Sequence, residues 1–291
     1  MAYRGAIGAS VLAAALLMTV TASQAFDETK YPDLKGQWRR GPNANIPGVL
    51  PGRFATFDPS KGWGPAQQAP LTPEYQARFE ANLANQAAGG QGIGVTYTCA
   101  SPGMPRVING YGPTEFVVTP GATHILVENI HDSRRIFTDG RDWPKEIQPN
   151  FSGYSIGKWI DEDGDGRYDV LVVETRGLRG PRSYDSTGMP FHADNETVIN
   201  ERIYLDKVDK NVLYDEITVT DHALTKPWTA VKKYVRKPDK QPVWREAVCA
   251  ENNPHVVIAD EPYMLSADGF LMPAKKDQAP PDLKYFTQSR K

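Results

Sequence analysis

The chain has few of the residues from which common metal, redox and nucleophile motifs are built. Its 291 residues include two cysteines and five histidines, and they contain no C-x-x-C, H-E-x-x-H or P-loop motif. The standard metal, redox and phosphate-binding signatures are therefore excluded. The one G-x-S-x-G match, residues 153–157, is not followed by a helical pattern and does not predict a serine hydrolase. Basic residues are not in excess, with 33 Lys and Arg against 35 Asp and Glu, so we expect no nucleic-acid binding.

A long apolar run is present near the N-terminus and absent from the rest of the chain. Arg4 precedes an Ala- and Leu-rich run from Ile7 to Val20, and residues 23–25 offer small side chains at a cleavage position. This order is typical of a secretory signal peptide, and the run is too short for a permanent membrane span. We therefore expect residues 1–25 to be removed from a periplasmic or secreted protein that has no membrane span when mature.

The two cysteines are Cys99 and Cys249. In an oxidising compartment an even cysteine count favours one disulfide. Such a bridge would close a loop of about 150 residues and would stabilise the fold by about 4–5 kcal/mol on the loop-closure estimate. The alternative is two separate buried thiols.

One helix is predicted, over residues 72–88. Thr72 suits the N-cap and Pro73 suits the first helical position. The apolar residues of this segment recur at i, i+4 and i+8 and are Tyr75, Phe79 and Leu83. The Pro- and Gly-rich residues 26–70 precede it without sustained periodicity. They predict an extended arm over the domain, with Trp38 as one aromatic anchor.

Residues 96–272 form a series of short alternating segments separated by turn residues, which predicts a β domain. The strand candidates are 115–118, 123–130, 134–138, 153–160, 168–176, 197–205, 212–220 and 228–235. Short connections between consecutive strands favour an antiparallel β-barrel or a strongly curved meander. We therefore expect a mainly β protein, with the extended arm and the helix in residues 26–95 and a polar, Pro-rich tail in residues 273–291.

The most specific motif is the acidic, glycine-rich loop D-E-D-G-D-G-R-Y-D at residues 161–169. Carboxylates at positions 1, 3, 5 and 9 and a glycine at position 6 are typical of a calcium loop. Position 12, a bidentate Glu in an EF-hand, is Val172, and the flanking segments are strands. We predict Ca²⁺ at the tip of a β-hairpin, bound by the side chains of Asp161, Asp163, Asp165 and Asp169 and by the carbonyl of Arg167. The alternative is an acidic turn without metal.

Strand alternation places several carboxylates on aliphatic faces. Glu201 shares a face with Ile199 and Ile203, and the same rule puts Glu128 and Glu174 on inward faces. A buried carboxylate must find a partner or shift its pKa, so these acids could bind a polar ligand or act as acid and base. The alternative is a buried ion-pair network, for which the candidate arginines are Arg134, Arg135, Arg141 and Arg202.

Other candidate site residues lie in turns, where the ligand sites of barrels form. His192 precedes the strand that carries Glu201, and His222 follows the end of another strand. A further polar turn contains Asp139. The candidate catalytic set is therefore Glu201, His192, Asp139, Arg141, Arg135 and His222.

Six short motifs lie between Cys99 and Trp244. They are GMPR (103–106), RRIFTDGR (134–141), GYSIGKW (153–159), VVET (172–175), ERIYLD (201–206) and DHALTKPW (221–228). Together they resemble a large family of exported bacterial proteins of mostly unknown function. The resemblance implies export and a shared fold rather than an activity. Many members have a short W-E-G-D-T-L-V-V hairpin where this chain has its acidic loop, which implies that calcium is not their common chemistry.

Three functions of different classes agree with these features. The first is an exported, calcium-stabilised β-barrel that binds a small organic molecule in its interior. The second is an enzyme on the same scaffold that acts by acid–base chemistry, as a lyase, isomerase or hydrolase. The third is a structural or partner-binding exported protein. A pocket shared by Glu201 and His192 would favour the enzyme, whereas a filled interior would favour the third function.

Overall fold

The computed structural model describes residues 26–40, 69–90, 92–93, 99, 101–109, 112–128, 130–180, 182–184, 188–238, 241–246, 248–249, 251, 254–258 and 261–281. The expected signal peptide and most of the expected arm lie outside these residues. Among the described residues, no helix is long and apolar enough to span a bilayer.

The described chain is mainly β, with a closed barrel and a small separate sheet. The strands of the barrel are β1 (Gln37–Arg40), β2 (Thr114–Val118), β3 (Ala122–Val127), β4 (Ile130–Phe137), β5 (Tyr154–Ile160), β6 (Val170–Arg176), β7 (Val198–Leu205), β8 (Val212–Thr220) and β9 (Trp228–Arg236). The separate sheet contains β10 (His255–Ile258), β11 (Glu261–Leu265) and β12 (Leu271–Pro273). One α-helix, α1 (Pro73–Ala87), and two 3₁₀ helices, Glu28–Lys30 and Arg106–Asn109, complete the described elements.

Neighbouring strands of the barrel follow chain order, and β1 closes it by pairing with both β2 and β9. The predicted antiparallel barrel is confirmed with one exception, because β4 and β5 pair in parallel. Residues 138–153 separate these two strands, which is enough chain to return to the other end of the barrel before β5 begins. Part of the predicted arm belongs to the barrel itself, because β1 lies within residues 26–70. Trp38 of β1 is fully buried, and its indole N–H donates to the Leu34 carbonyl at 2.9 Å.

A polar layer divides the interior of the barrel into two apolar clusters. On β7, Ile199 belongs to one cluster and Ile203 to the other, and Glu201 lies between them. The same order occurs on β8 around Asp215 and on β9 around Lys232. The prediction that Glu201 faces inward is therefore confirmed.

The strand-parity prediction for Glu174 is wrong. On β6, Leu171, Val173 and Thr175 form the buried face, and Val170 at the start of the strand is buried as well. Glu174 lies on the outer face with Arg176. Four consecutive apolar residues begin this strand, so alternation alone does not identify its inner face. Glu128 follows the end of β3, outside the strand to which the parity rule applies, and its carboxylate lies 3.8 Å from the Arg245 guanidinium.

The predicted helix is confirmed, as are its N-cap and most of its buried stripe. The Thr72 hydroxyl accepts from the Tyr75 backbone N–H at 3.4 Å. Tyr75 and Phe79 are buried, but Leu83, one turn further, is 37 % exposed. The helix contacts the barrel end through a side-chain bond from Asn82 Nδ2 to the Gly188 carbonyl at 2.9 Å.

The predicted disulfide is present between Cys99 and Cys249, whose Cα atoms lie 5.5 Å apart. The two cysteines are separated by 150 positions in the chain. The bridge therefore connects the segment before β2 to the segment that follows β9.

Candidate functional site

The acidic loop lies between β5 and β6, at the hairpin position that the sequence predicts. Carboxylate oxygens of Asp161, Asp163 and Asp169 lie within 4.8 Å of one another. The loop forms a tight turn, which is held by the Asp161 carboxylate. This group accepts the backbone N–H groups of Gly164 at 2.7 Å and Gly166 at 2.9 Å. Both glycines have positive φ, at 78° and 89°, which side-chain-bearing residues adopt only with strain.

The remaining predicted ligands are placed differently. The Asp165 carboxylate accepts the Arg167 backbone N–H at 2.8 Å and does not belong to the three-carboxylate group. The loop is also tied to its surroundings, since Glu162 accepts from Arg202 of β7 at 2.6 Å. The Tyr168 N–H donates to the Lys30 carbonyl at 2.7 Å, which connects the loop to the N-terminal segment.

In the interior, Glu201 forms a bidentate ion pair with Arg134. The two donors of Arg134 reach the two carboxylate oxygens, one of them at 2.7 Å, and both side chains are almost fully buried. Arg134 also donates to the Thr175 hydroxyl at 3.0 Å, and Thr175 bonds to Ser155 at 2.8 Å. Ser155, from the G-x-S-x-G match, is thus a buried strand residue. These contacts support the structural ion-pair alternative for Glu201.

Asp215 is the second acid of the polar layer, and the sequence reasoning did not identify it. Burial, and secondarily the charge of Glu201, raises the pKa of its carboxyl well above the usual range for aspartate, against the opposing effects of Arg134 and Lys232. Its Oδ1 atom has no hydrogen-bond partner in the described part of the protein. A cavity of about 20 Å³ adjoins Asp215 and Arg134. That volume accommodates one water molecule beside the carboxyl group.

A second polar cluster lies where β8 ends and β7 begins, at the opposite end of the barrel from the acidic loop. It contains the two predicted histidines, His192 and His222, and an acid that the sequence reasoning missed, Asp194. The Asp194 carboxylate lies 2.9 Å from His192 Nδ1 and 2.5 Å from His222 Nδ1. The hydrogen bond to Asp194 raises the pKa of His222.

A buried acid, Asp221, holds the backbone of this second cluster. Its Oδ1 atom accepts the backbone N–H groups of His192 at 2.9 Å and Ala223 at 2.7 Å. Its other oxygen accepts from the Thr197 hydroxyl and lies 3.6 Å from the Arg182 guanidinium. Burial lowers the pKa of Arg182, and the charge of Asp221 opposes that change.

The predicted polar turn is a separate, exposed site. Asp139 accepts from the Arg141 side chain at 2.8 Å, and these hydrogen bonds lower the pKa of Asp139 to about 2. The Arg141 guanidinium lies over the Phe137 ring at 3.8 Å, and the guanidinium of Arg135, which is also exposed, lies 5.9 Å from the centre of that ring. This turn has the geometry of a surface ion pair.

The six candidate catalytic residues therefore fall into three places rather than one. Glu201 is enclosed in the polar layer, His192 and His222 meet at Asp194, and Asp139 and Arg141 form the exposed turn with Arg135 nearby. The described contacts of Glu201 and His192 have no residue in common.

A large groove with a mixed lining lies between the N-terminal segment and β2. It has a volume of about 650 Å³, and its apolar lining includes Phe26, Tyr31, Phe116 and Val118. Its charged lining has both signs and consists of Glu28, Asp33, Glu115, Lys35 and Arg167. Tyr31 packs edge-on against Trp159 at 5.4 Å and at a tilt against Tyr168 at 5.1 Å. The groove therefore shares its wall with the acidic loop.

No model of a known protein family and no curated protein matches this chain. The resemblance of its six motifs to an exported bacterial family stays a prediction.

Proposed function

We propose that this protein is an exported β-barrel whose β5–β6 loop binds Ca²⁺, and that the bound ion stabilises that end of the barrel. The observation that carries the proposal is that carboxylate oxygens of Asp161, Asp163 and Asp169 lie within 4.8 Å of one another on a loop that forms a tight turn. Hard carboxylate oxygens are the ligands that Ca²⁺ prefers. Three like charges held this close repel one another, and a divalent cation removes that repulsion. The disulfide agrees with export to an oxidising compartment.

The test is thermal unfolding in calcium and in chelator. Sites in extracellular proteins bind Ca²⁺ with Kd values of about 10⁻⁴–10⁻³ M, so about 10 mM calcium should add about 1.4–2.7 kcal/mol of stability. For a protein of this size that corresponds to a rise in Tm of roughly 3–10 °C. Asp163→Ala should abolish the rise.

The matched control is Asp209→Ala. Asp163 accepts the Asp165 backbone N–H at 3.1 Å, and Asp209 accepts the Asn211 N–H at 3.0 Å in the turn between β7 and β8. Each substitution removes one local turn bond, but Asp209→Ala should leave the calcium response intact. A wild-type melting curve that is the same in calcium and in chelator would refute the proposal.

A second candidate function is the binding of a small organic molecule, and the groove beside the acidic loop favours it. A volume of about 650 Å³ lies within the range of small-molecule sites, and the lining combines aromatic rings with charged groups of both signs. The interior offers less support, since the cavity beside Asp215 has only about 20 Å³. Acid–base catalysis by Glu201 likewise has little support, because its carboxylate is enclosed and bound by Arg134.

The groove can be tested with anilinonaphthalene sulfonate, an aromatic anion that fluoresces in apolar sites. Val117 lines the groove and is 44 % exposed, so Val117→Arg should obstruct the groove without disturbing the core. Val208, in the β7–β8 turn, is 93 % exposed, and Val208→Arg is the control for an added charge. The probe should bind the wild type and the control, and it should bind the Val117 variant at least about tenfold more weakly, by about 1.4 kcal/mol. Equal binding to all three proteins would exclude the groove.

A further inference from the structure

The Asp194 carboxylate lies between two imidazoles that come from different parts of the chain. His192 and Asp194 belong to the loop before β7, and His222 follows β8. One oxygen of Asp194 is 2.9 Å from Nδ1 of His192 and 2.5 Å from Nδ1 of His222. All three groups offer a ligand atom within 4.8 Å of the others.

These distances are close to those between neighbouring ligands around one metal ion. With metal–nitrogen and metal–oxygen bonds of about 2.0–2.2 Å, ligand atoms at about 90–110° are separated by about 2.9–3.4 Å. The separation between Asp194 and His192, 2.9 Å, already lies in that range, and the separation between Asp194 and His222, 2.5 Å, needs to widen by less than about 1 Å. His222 is exposed at a strand end, so its ring has room to move.

The ligand types determine the class of metal. Two imidazole nitrogens and one carboxylate suit Zn²⁺, Fe²⁺, Co²⁺ or Ni²⁺, whereas Ca²⁺ and Mg²⁺ prefer oxygen ligands throughout. Three protein ligands leave at least one position open, which is the arrangement of catalytic rather than structural zinc sites. The histidine rings are 5.6 Å apart and nearly perpendicular.

The fold holds this arrangement in place. The register of β7 and β8 pairs Val198 with Thr220, which brings the residues before one strand next to those after the other. Asp221 then fixes the backbone at His192, as described above. The His192 ring also packs on Tyr75 of α1 at 5.6 Å. Supporting contacts of this kind orient metal ligands in known sites.

We propose that His192, Asp194 and His222 form a binding site for a divalent transition metal, with open positions for water or a substrate oxygen. The site is independent of the acidic loop, which lies at the opposite end of the barrel and takes a hard cation. Metal bound here would connect the β7 and β8 ends to the helix face that carries Tyr75.

The experiment titrates the full chain with Zn²⁺ in a calorimeter, in the presence of saturating Ca²⁺ so that the acidic loop is occupied. We expect one zinc per protein. His222→Ala and Asp194→Asn should each weaken zinc binding by at least about 100-fold, since removing a direct ligand costs more than the roughly 10–100-fold of a supporting contact. Co²⁺ should give visible absorption bands characteristic of nitrogen and oxygen ligands, and the bands should be lost in both variants.

Two control variants separate this site from other sources of binding. His124→Gln removes a half-buried histidine of β3 and should leave zinc binding unchanged. Asp163→Ala impairs the acidic loop and should also leave it unchanged, which distinguishes this proposal from the calcium proposal. Tm values measured in chelator verify that each variant is folded. Absence of zinc binding by the wild type up to about millimolar zinc, or equal affinity in the wild type and the folded His222 variant, overturns the proposal.

Discussion

Glu201→Gln tests whether the polar layer is a structural ion pair. The change keeps the shape of the side chain but removes the charge that neutralises Arg134. The Arg134 guanidinium is 2 % exposed, donates to both Glu201 oxygens and also donates to Thr175. The substituted glutamine side chain would retain one acceptor and would turn its amide N–H groups toward a guanidinium that has only donors.

The expected loss follows from the burial of this pair. Removing one partner of a buried pair costs about 3–5 kcal/mol, because the other charge is left uncompensated. Asp215 can reduce that cost. The Glu201 charge contributes to the raised pKa of Asp215, so its removal favours ionisation of Asp215 next to Arg134. We therefore expect a loss near the lower end, about 3 kcal/mol, and a larger loss when Asp215→Asn is added.

The assay is urea unfolding at neutral pH, and the matched control is Glu174→Gln. Glu174 is also paired with an arginine, Arg176 of its own strand, but its side chain is 34 % exposed against 0 % for Glu201. An exposed pair contributes about 0–1 kcal/mol. Similar losses in the two variants would refute the reasoning, as would a Glu201 variant within about 1 kcal/mol of the wild type.

Three further predictions concern the rest of the molecule. Replacing both cysteines by alanine should lower the free energy of unfolding by about 4 kcal/mol, as measured by urea unfolding, and a loss under about 1 kcal/mol would contradict this. Gly103→Ala should cost at least about 2 kcal/mol more than Gly140→Ala in the same assay, since both glycines have positive φ but only at Gly103 would a Cβ lie 2.4 Å from the Phe151 carbonyl oxygen. Asp215→Asn should become progressively more stable than the wild type as pH rises above about 4, because the Asp215 carboxyl stays protonated in the folded wild type but ionises in the unfolded chain. The difference in the free energy of unfolding should grow by about 1.4 kcal/mol per pH unit until the raised pKa of Asp215 is reached. Urea unfolding at about pH 5, 6 and 7 measures this slope, and a constant difference would show that Asp215 is charged in the fold.

The strands from β5 to β8 could be predicted because each is bounded by turn residues, and β7 in addition alternates cleanly. β1 could not, because four residues with two arginines have no period of their own. It is a strand because β2 and β9 offer it two open edges. The boundary between β3 and β4 was predicted too late, because strands were expected over 123–130 and 134–138 whereas β4 begins at Ile130. Ile130 continues the apolar alternation of β3, so the pattern does not indicate where one strand ends and the next begins.

The site residues divide in the same way. Glu201 could be predicted from its place between aliphatic neighbours, and Asp215 between Leu213 and Ile217 follows the same rule. Asp194 could not be found by that rule, because its meeting with His222 depends on the register between β7 and β8. The separation of Glu201 from the histidines was also beyond strand parity, which gives the face of a residue but not its height along the barrel.

The closure of the barrel by β1 determines when the protein can fold. β1 is the first described strand, but its partner β9 lies about 200 positions later, from Trp228 to Arg236. Until that last strand arrives, the sheet is open and β1 and β8 each expose an unpaired edge, the feature that promotes association between chains. Contacts of such high sequence separation form slowly. If the chain crosses a membrane unfolded and N-terminus first, β1 emerges well before its partner β9. We expect the protein to need a chaperone most between the emergence of these two strands.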